Sequence, residues 1–263
     1  FFLKEKIISS IKKMSLHSLG YLICISFVWA QTGPYPNPPN WPDNVYVFNA
    51  SMPAETIQGM VNATYNDQMN KNKWSNDGVA LLFEPGTYNI DVTLGYFTGL
   101  YGLGTTPLEV NITNVILDSG STNNAVGTLN NIWRSAEGFG TKPTKNWFGN
   151  ANSMLWAASK GTALRRVEIF GNLLLYEYIN GETAGNASGG YIADAKVHGI
   201  VASGSQQQFY FRNCELIGGW SGGVWNMVFQ GVTGAPKEHC GNKPFPPITS
   251  ITSTPRNFSE KPY

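Results

Sequence analysis

Three acidic residues are the first candidates for acid–base chemistry: Asp194, Glu215 and Glu177. Asp194 follows Ser188-Gly-Gly-Tyr-Ile-Ala, where small residues let a polymer approach, and the other two have aromatic neighbours. Two carboxyl groups about 5–10 Å apart cleave a glycosidic bond, one as acid and the other as base or nucleophile. A solvated or turn-capping carboxylate is the alternative at each position. Lyase chemistry would instead need a base near a sugar C5 proton, a task open to Arg212 or Lys196. Trp220, Trp225 and Tyr191 supply aromatic faces for the apolar face of a pyranose, and an indole keeps an N–H for a hydroxyl. Gly218, Gly219, Gly222 and Gly223 flank Trp220 and suit a groove floor, whereas Trp225 lies in an apolar run that suits a core. Gln207 and Arg212 are polar candidates for sugar hydroxyls. Gln206, Gln207 and Gln208 must alternate across an extended strand, so they read either as an inward amide ladder or as an outward sugar contact. His198 and His239 have no Ser or Cys partner in view, so no nucleophile triad is expected. Tyr101-Gly-Leu-Gly104 is too short for a dinucleotide loop, no Asp cluster resembles a calcium cage, and no CxxC pair suggests zinc. Neither a metal nor a cofactor is expected.

The elements that must position these groups begin around Phe83-Glu-Pro-Gly-Thr-Tyr88. Upstream, Ile57, Met60, Val61 and Tyr65 mark a helix over about 54–69, with Ser51 as its cap and Pro53 in its first turn. Asn44-Val-Tyr-Val-Phe48 reads as a first strand. Downstream, short strands are expected at 79–83, 92–97, 110–117, 130–133, 154–157, 167–176, 191–197, 209–216 and 224–232, separated by Gly, Asn and Ser. A helix, an apolar strand, a Pro-Gly turn and a ladder of short strands is how a right-handed parallel β-helix opens, the helix covering its exposed edge. The expected fold class is therefore all-β, a single-stranded right-handed parallel β-helix with an N-terminal capping helix, over residues 44–235. A β-sandwich is the structural rival.

The ends carry different information. Lys4, Lys6, Lys12 and Lys13 precede an apolar run from Leu19 to Ala30, so residues 1–30 read as a signal peptide, with Met14 as an alternative start. The run is short for a membrane span, and no stable span is expected after cleavage. Residues 31–43 are Pro-rich and extended, and residues 236–263 form a C-terminal tail or connector. The chain holds 18 Lys and Arg against 17 Asp and Glu, with no basic stripe to neutralise phosphates, so no nucleic acid is expected. Secretion would leave Cys214 and Cys240 as an even pair, read as a disulfide, with Cys214 as a small core residue the alternative. Sequons stand at Asn49, Asn62, Asn111, Asn186 and Asn257.

Ala54-Glu-Thr-Ile-Gln58 with Phe83-Glu-Pro-Gly-Thr-Tyr88 resembles the opening of the pectate-lyase-like superfamily. Tyr101-Gly-Leu-Gly104, Asn131-Ile-Trp-Arg-Ser-Ala-Glu137, Leu164-Arg-Arg-Val167, Ser203-Gly-Ser-Gln-Gln-Gln208 and Trp225-Asn-Met-Val-Phe-Gln-Gly-Val232 resemble segments of secreted proteins like glycoside hydrolase family 55. The resemblance covers most of residues 44–263. It implies the N-terminal half of a protein with two β-helices side by side, substrate in the cleft between them and a general acid on the second. It therefore implies a secreted protein that binds and helps to hydrolyse a β-glucan or related wall polysaccharide, with a second β-helix outside this chain as a partner. A non-catalytic glycan-binding or surface-scaffold module is the alternative reading.

Overall fold

In the computed structural model the residues described are 39–71, 73–118, 129–179, 183–222, 227–236 and 252–253. The expected signal peptide, Trp225, Cys240 and Asn257 lie outside them, as do most of the Pro-rich segment and of the tail. The unit that carries the fold is Trp41–Tyr263.

One 13-stranded sheet has two limbs. The first limb runs in the order β1 (Val45–Phe48), β2 (Val79–Phe83), β4 (Thr98–Gly102), β6 (Arg134–Thr141), β8 (Thr162–Ile169), β12 (Tyr191–Ala193), β15 (Phe209–Arg212), β18 (Met227–Gln230) and β19 (Thr252–Ser253). The second limb holds β3 (Gly86–Thr93), β5 (Val110–Ile116), the far ends of β6 and β8, β13 (Lys196–Val197) and β16 (Glu215–Leu216). A separate four-stranded sheet holds β7 (Ser153–Leu155), β9 (Asn172–Leu174), β14 (Val201–Ala202) and β17 (Trp220–Ser221). Every strand pairing in these two sheets is parallel. Among the described residues, only the small hairpin of β10 (Tyr178–Ile179) and β11 (Thr183–Ala184) is an antiparallel strand pair. Parallel pairing of this extent is incompatible with the antiparallel sandwich.

The core is a set of inward stacks. Leu81, Leu100, Ala136, Leu164, Ile192, Phe211 and Phe229 pair in register across the first limb and are fully buried. Each of the Leu, Ile and Phe side chains contributes roughly 1.5–3 kcal/mol, and the Ala136 methyl less. The two long strands β6 and β8 keep strict in–out alternation only to a bend, at Gly138 (φ 77°) and Arg166 (φ 49°). Beyond the bend the alternation restarts in the opposite phase in β8, whereas in β6 every residue from Gly138 on is buried; the bend carries the chain from one limb to the other.

The helix α1 (Ala54–Asn70) starts differently from expectation: Pro53 occupies the cap position and accepts from the Thr56 and Ile57 amides. Ser51 instead bonds the Asn49 side chain. The buried stripe is Ile57, Val61, Thr64 and Gln68. Two helix glutamines tie it to the sheet. Gln58 accepts from the Asp91 amide at 2.8 Å and donates to the Asp91 carbonyl at 2.8 Å, closing the open edge of β3. Gln68 donates to the Asp77 and Tyr96 carbonyls. Among the described residues no helix is long and apolar enough to cross a membrane.

Candidate functional site

A groove of about 710 Å³ lies on the outward face of the first limb. Outward side chains there fall in two rows set by the register. One row is Ala80, Gly99, Ser135, Ala163, Tyr191 and Tyr210. The other is Leu82, Tyr101, Glu137, Arg165, Ala193, Arg212 and Gln230. The first four residues of the first row line the groove and are small, so its floor is low.

Aromatic rings form its sides. Phe97 and Trp133 precede β4 and β6 and stack nearly parallel, centroids 6.1 Å apart at 10°. Both have positive φ, 53° and 59°, a left-handed conformation uncommon for bulky residues that costs about 1–3 kcal/mol each. The glycines explain how the rings lie flat. A Cβ on Gly161 would stand 2.7 Å from the Trp133 ring, so the indole rests on glycine backbone. A Cβ on Gly99 would stand 2.5 Å from the Tyr101 ring, which covers that position the same way. Trp133 keeps 40% of its surface exposed.

Polar groups sit beside the rings. The Tyr101 and Ser135 hydroxyls are 3.3 Å apart. Glu137 lies between Arg166 (3.4 Å) and Arg165 (3.7 Å). Beneath Trp133, the buried Arg134 guanidinium donates to the Leu94 and Ile132 carbonyls and packs 4.6 Å from the Tyr96 ring. Burial pushes its pKa below the usual arginine value, with Tyr96, Tyr65 and Asp118 acting in the opposite direction. These bonds fix the strand start that presents Trp133.

The expected site residues are spread over the fold. Asp194 occupies the bend between the limbs at φ 53°, where its Oδ1 accepts from Asn213 at 3.3 Å. Asp and Asn tolerate this conformation, so the position is a stacked turn, and Asp194 Oδ2 is buried without a hydrogen bond. Glu215 points outward from the second limb and pairs with Lys196 at 3.3 Å. Glu177 follows the four-stranded sheet, and its charge raises the pKa of Tyr65 on α1, a rise due first to burial and next to Asp118. The three carboxylates therefore do not share one face. Trp220 is corrected from groove floor to inward packing. It pairs in register with buried Val201, and its ring meets Phe211 (5.6 Å, 82°) and Phe229 (5.1 Å, 88°) edge-on. Tyr191 and Arg212 do stand on the outward face with the groove.

The glutamines form no amide ladder. Gln206 turns inward and donates to the Ala158 and Leu175 carbonyls, Gln207 is half-buried in the turn before β15, and Gln208 accepts from the Ser188 hydroxyl. Cys214 is a buried core residue whose Sγ lies 3.2 Å from the Arg212 carbonyl, and burial pushes its thiol up to about 12. Its expected partner Cys240 is outside the described residues. Of the sequons, Asn62 and Asn186 are exposed, Asn49 is half-buried, and half-buried Asn111 donates to the Leu108 carbonyl. No group of three or more His, Cys, Asp or Glu among the described residues could hold a metal ion. Phe97, Trp133 and Glu137 escaped the sequence reading of the site, although Trp133 and Glu137 lie inside a segment that carried the family resemblance.

No family model matches the chain. It is 39% identical over 222 residues to an exo-β-1,3-glucanase of Streptomyces sp. (strain SirexAA-E / ActE), covering 84% of this chain and 33% of that enzyme. The solved structure of sacteLam55A from Streptomyces sp. SirexAA-E superposes with a TM-score of 0.68 at 39% identity, over 81% of this chain and 36% of that one. A variant of sacteLam55A in complex with glucose gives a TM-score of 0.69 at 39% identity, over 81% and 35%. The chain thus spans about a third of the length of the curated relative it matches.

Proposed function

We propose that this chain, a homologue of a glycoside hydrolase family 55 exo-β-1,3-glucanase, binds and helps to hydrolyse a β-glucan along the groove of the first limb. The observation that carries the reading is the Phe97–Trp133 pair, two bulky residues held in a strained backbone beside a floor of small side chains. Strain of this kind concentrates at functional sites. A pyranose stacks on Trp133 while its hydroxyls bond Ser135, Tyr101 and Glu137. Among the described residues of the two rows, Glu137 is the one carboxylate, and hydrolysis needs two carboxyl groups. The second carboxyl group comes from elsewhere, and the division of labour in the proposal is binding here with assistance to cleavage.

The same proposal holds that the chain is secreted and is a right-handed parallel β-helix. The leader-like residues 1–30 support the first. The second is supported by the in-register stacks and by connections that leave each limb and return one strand further on. The test is titration of soluble laminarin into wild type and Trp133→Ala, followed by Trp fluorescence and calorimetry, with sugar release measured in parallel. Wild type binds, and Trp133→Ala loses at least about tenfold in affinity, or about 1.4 kcal/mol. Equal binding by the two proteins would remove the groove from the reading. Binding without sugar release would favour a glycan-binding module.

A further inference from the structure

We infer that the second limb carries a sugar-binding site of its own, separate from the groove, that takes a neutral pyranose against the Phe170 ring. The site goes beyond the proposed function, because it lies on the other limb and is built from different side chains. A cavity of about 350 Å³ opens there, where the segments just after β6 and β8 meet β3 and β5. Thr87 of β3 and Asn111 of β5 are register partners on its floor. Asn89 and Thr113 follow on the same face, Thr113 Oγ1 standing 3.5 Å from Asn89 Oδ1. Because Thr141 pairs with Ile169, the residues just after them, Lys142 and Phe170, come together at the far side. Phe170 keeps 40% of its surface exposed. The lining thus offers amides, hydroxyls, one ammonium and one aromatic ring, and no carboxylate. A ring takes the apolar face of a pyranose, and amides and hydroxyls serve the sugar's own hydroxyls as donors and acceptors. Lys142 is exposed, where an ion pair with an acidic sugar would add little, so its charge does not choose the ligand. Lacking a carboxyl group, the site binds and does not cleave.

The parts are held before any ligand arrives. Phe170 stacks on His198, the next residue along the rungs, with centroids 4.5 Å apart at 22°, and His198 Nε2 lies 2.7 Å from Glu168 Oε1. The Phe170 amide donates to the Thr141 carbonyl at 2.8 Å, which ties the ring's backbone to the β6 rung. Across the cavity the segment after β6 is pinned twice. Buried Asn114 donates to Thr144 Oγ1 and accepts from the Thr144 amide, both at 3.0 Å. Beside it Lys145 reaches Asp91 at 2.6 Å. Asn111 donates to the Leu108 carbonyl at 2.8 Å, which orients its amide group. A ring already stacked and side chains already bonded lose little freedom when a sugar binds.

The test is affinity electrophoresis through native gels that contain soluble laminarin, the probe of the proposed function. The full chain is used, with folding checked by circular dichroism. It is made in a host without N-glycosylation, because a glycan on Asn111 would fill the cavity. The proteins are wild type, Trp133→Ala, and Trp133→Ala combined with Phe170→Ala, Asn89→Ala or Lys142→Ala. Trp133→Ala disables the groove and is still retarded by laminarin. Adding Phe170→Ala weakens that remaining binding at least about fivefold. Asn89→Ala, at an exposed position, weakens it too, even if the Phe170 variant does not fold. No retardation of Trp133→Ala, or the same retardation after the Phe170 and Asn89 substitutions, overturns the inference. Stronger retardation by polygalacturonate than by laminarin, lost with Lys142→Ala, makes the ligand an acidic sugar and overturns it as well. Wild-type retardation of Trp133→Ala, with loss on adding Phe170→Ala, removes the groove from the proposed function and leaves this site standing.

Discussion

Gly161→Ala tests whether the groove is built as described, because Gly161 is where backbone and ring meet. Its φ of 69° lies in the left-handed region, and the added Cβ would stand 2.7 Å from the Trp133 ring. Trp133 is also held by its nearly parallel neighbour Phe97, ring centroids 6.1 Å apart. The backbone alone costs roughly 1–2 kcal/mol, and forcing a packed ring aside costs about 1–3 kcal/mol more. Gly149 supplies the control: its φ is 79°, and an added Cβ would meet nothing within 4 Å. Gly149→Ala should therefore lose about 1.5 kcal/mol, or about 5 °C in Tm, and Gly161→Ala about 3.5 kcal/mol, or about 10 °C. Urea denaturation at constant m reads the difference directly. In a Trp133→Ala background the Gly161 substitution should cost no more than the Gly149 one, a coupling that a double-mutant cycle isolates. Equal losses for the two single glycine variants would refute the seating of the indole on Gly161.

The helix and the strand stack yield further expectations. Gln58→Ala strips both bonds from the Asp91 backbone and should cost about 1–3 kcal/mol, with the Asp91 amide losing hydrogen-exchange protection before its neighbours; unchanged protection would count against the edge-closing role. Tyr88 has its pKa pushed up to about 12, chiefly by burial and next by Glu84, and its hydroxyl donates to the Glu84 carbonyl at 2.7 Å. Because the folded value exceeds the ordinary tyrosine value of about 10, its contribution to stability is intact below about pH 10 and is lost as pH climbs from about 10 to 12. Tyr88→Phe should flatten the stability–pH curve in that window, and an unchanged slope would sink the assignment.

What the sequence disclosed follows from which interactions are local. The helix could be read because Ile57 and Val61 repeat at its own period, and both are buried against the sheet. The first strand and β2 could be read because apolar residues run unbroken through Val45–Phe48 and Val79–Phe83. By contrast β6 was expected to occupy 130–133 and instead begins at Arg134. Two features hid it: Trp133, with φ 59°, ends the preceding turn, and the phase slip at Gly138 breaks the alternation a strand should show. The expected strand at 92–97 failed in the same way, since Phe97 at φ 53° separates β3 from β4. Positive φ in a bulky residue has no signature in composition. It is imposed by the position in the stack that Phe97 and Trp133 share with Gly161 and Gly189.

The same reasoning explains why the glycine-rich stretch around Trp220 misled and the quieter glycines did not announce themselves. A glycine marks a binding surface when a ring from another strand lies on it, and that partner is set by the register between strands. Tyr101 lies over Gly99 within its own strand, and Trp133 lies over Gly161 one strand away. Trp220 pairs in register with the core residue Val201, so its neighbouring glycines serve turns, Gly218 against the Gly199 backbone and Gly222 against Ser203. Carboxylates obey the same rule. Asp194 stands where four successive rungs bend from one limb to the other, in register with Gly138, Arg166 and Asn213, all four at positive φ. Its place is fixed by the turn, whereas Glu137 in the preceding stretch of the same limb faces the groove side with its two arginines. Which acids and aromatics meet a polymer on such a surface is therefore decided by strand register, a property that no single stretch of the chain contains.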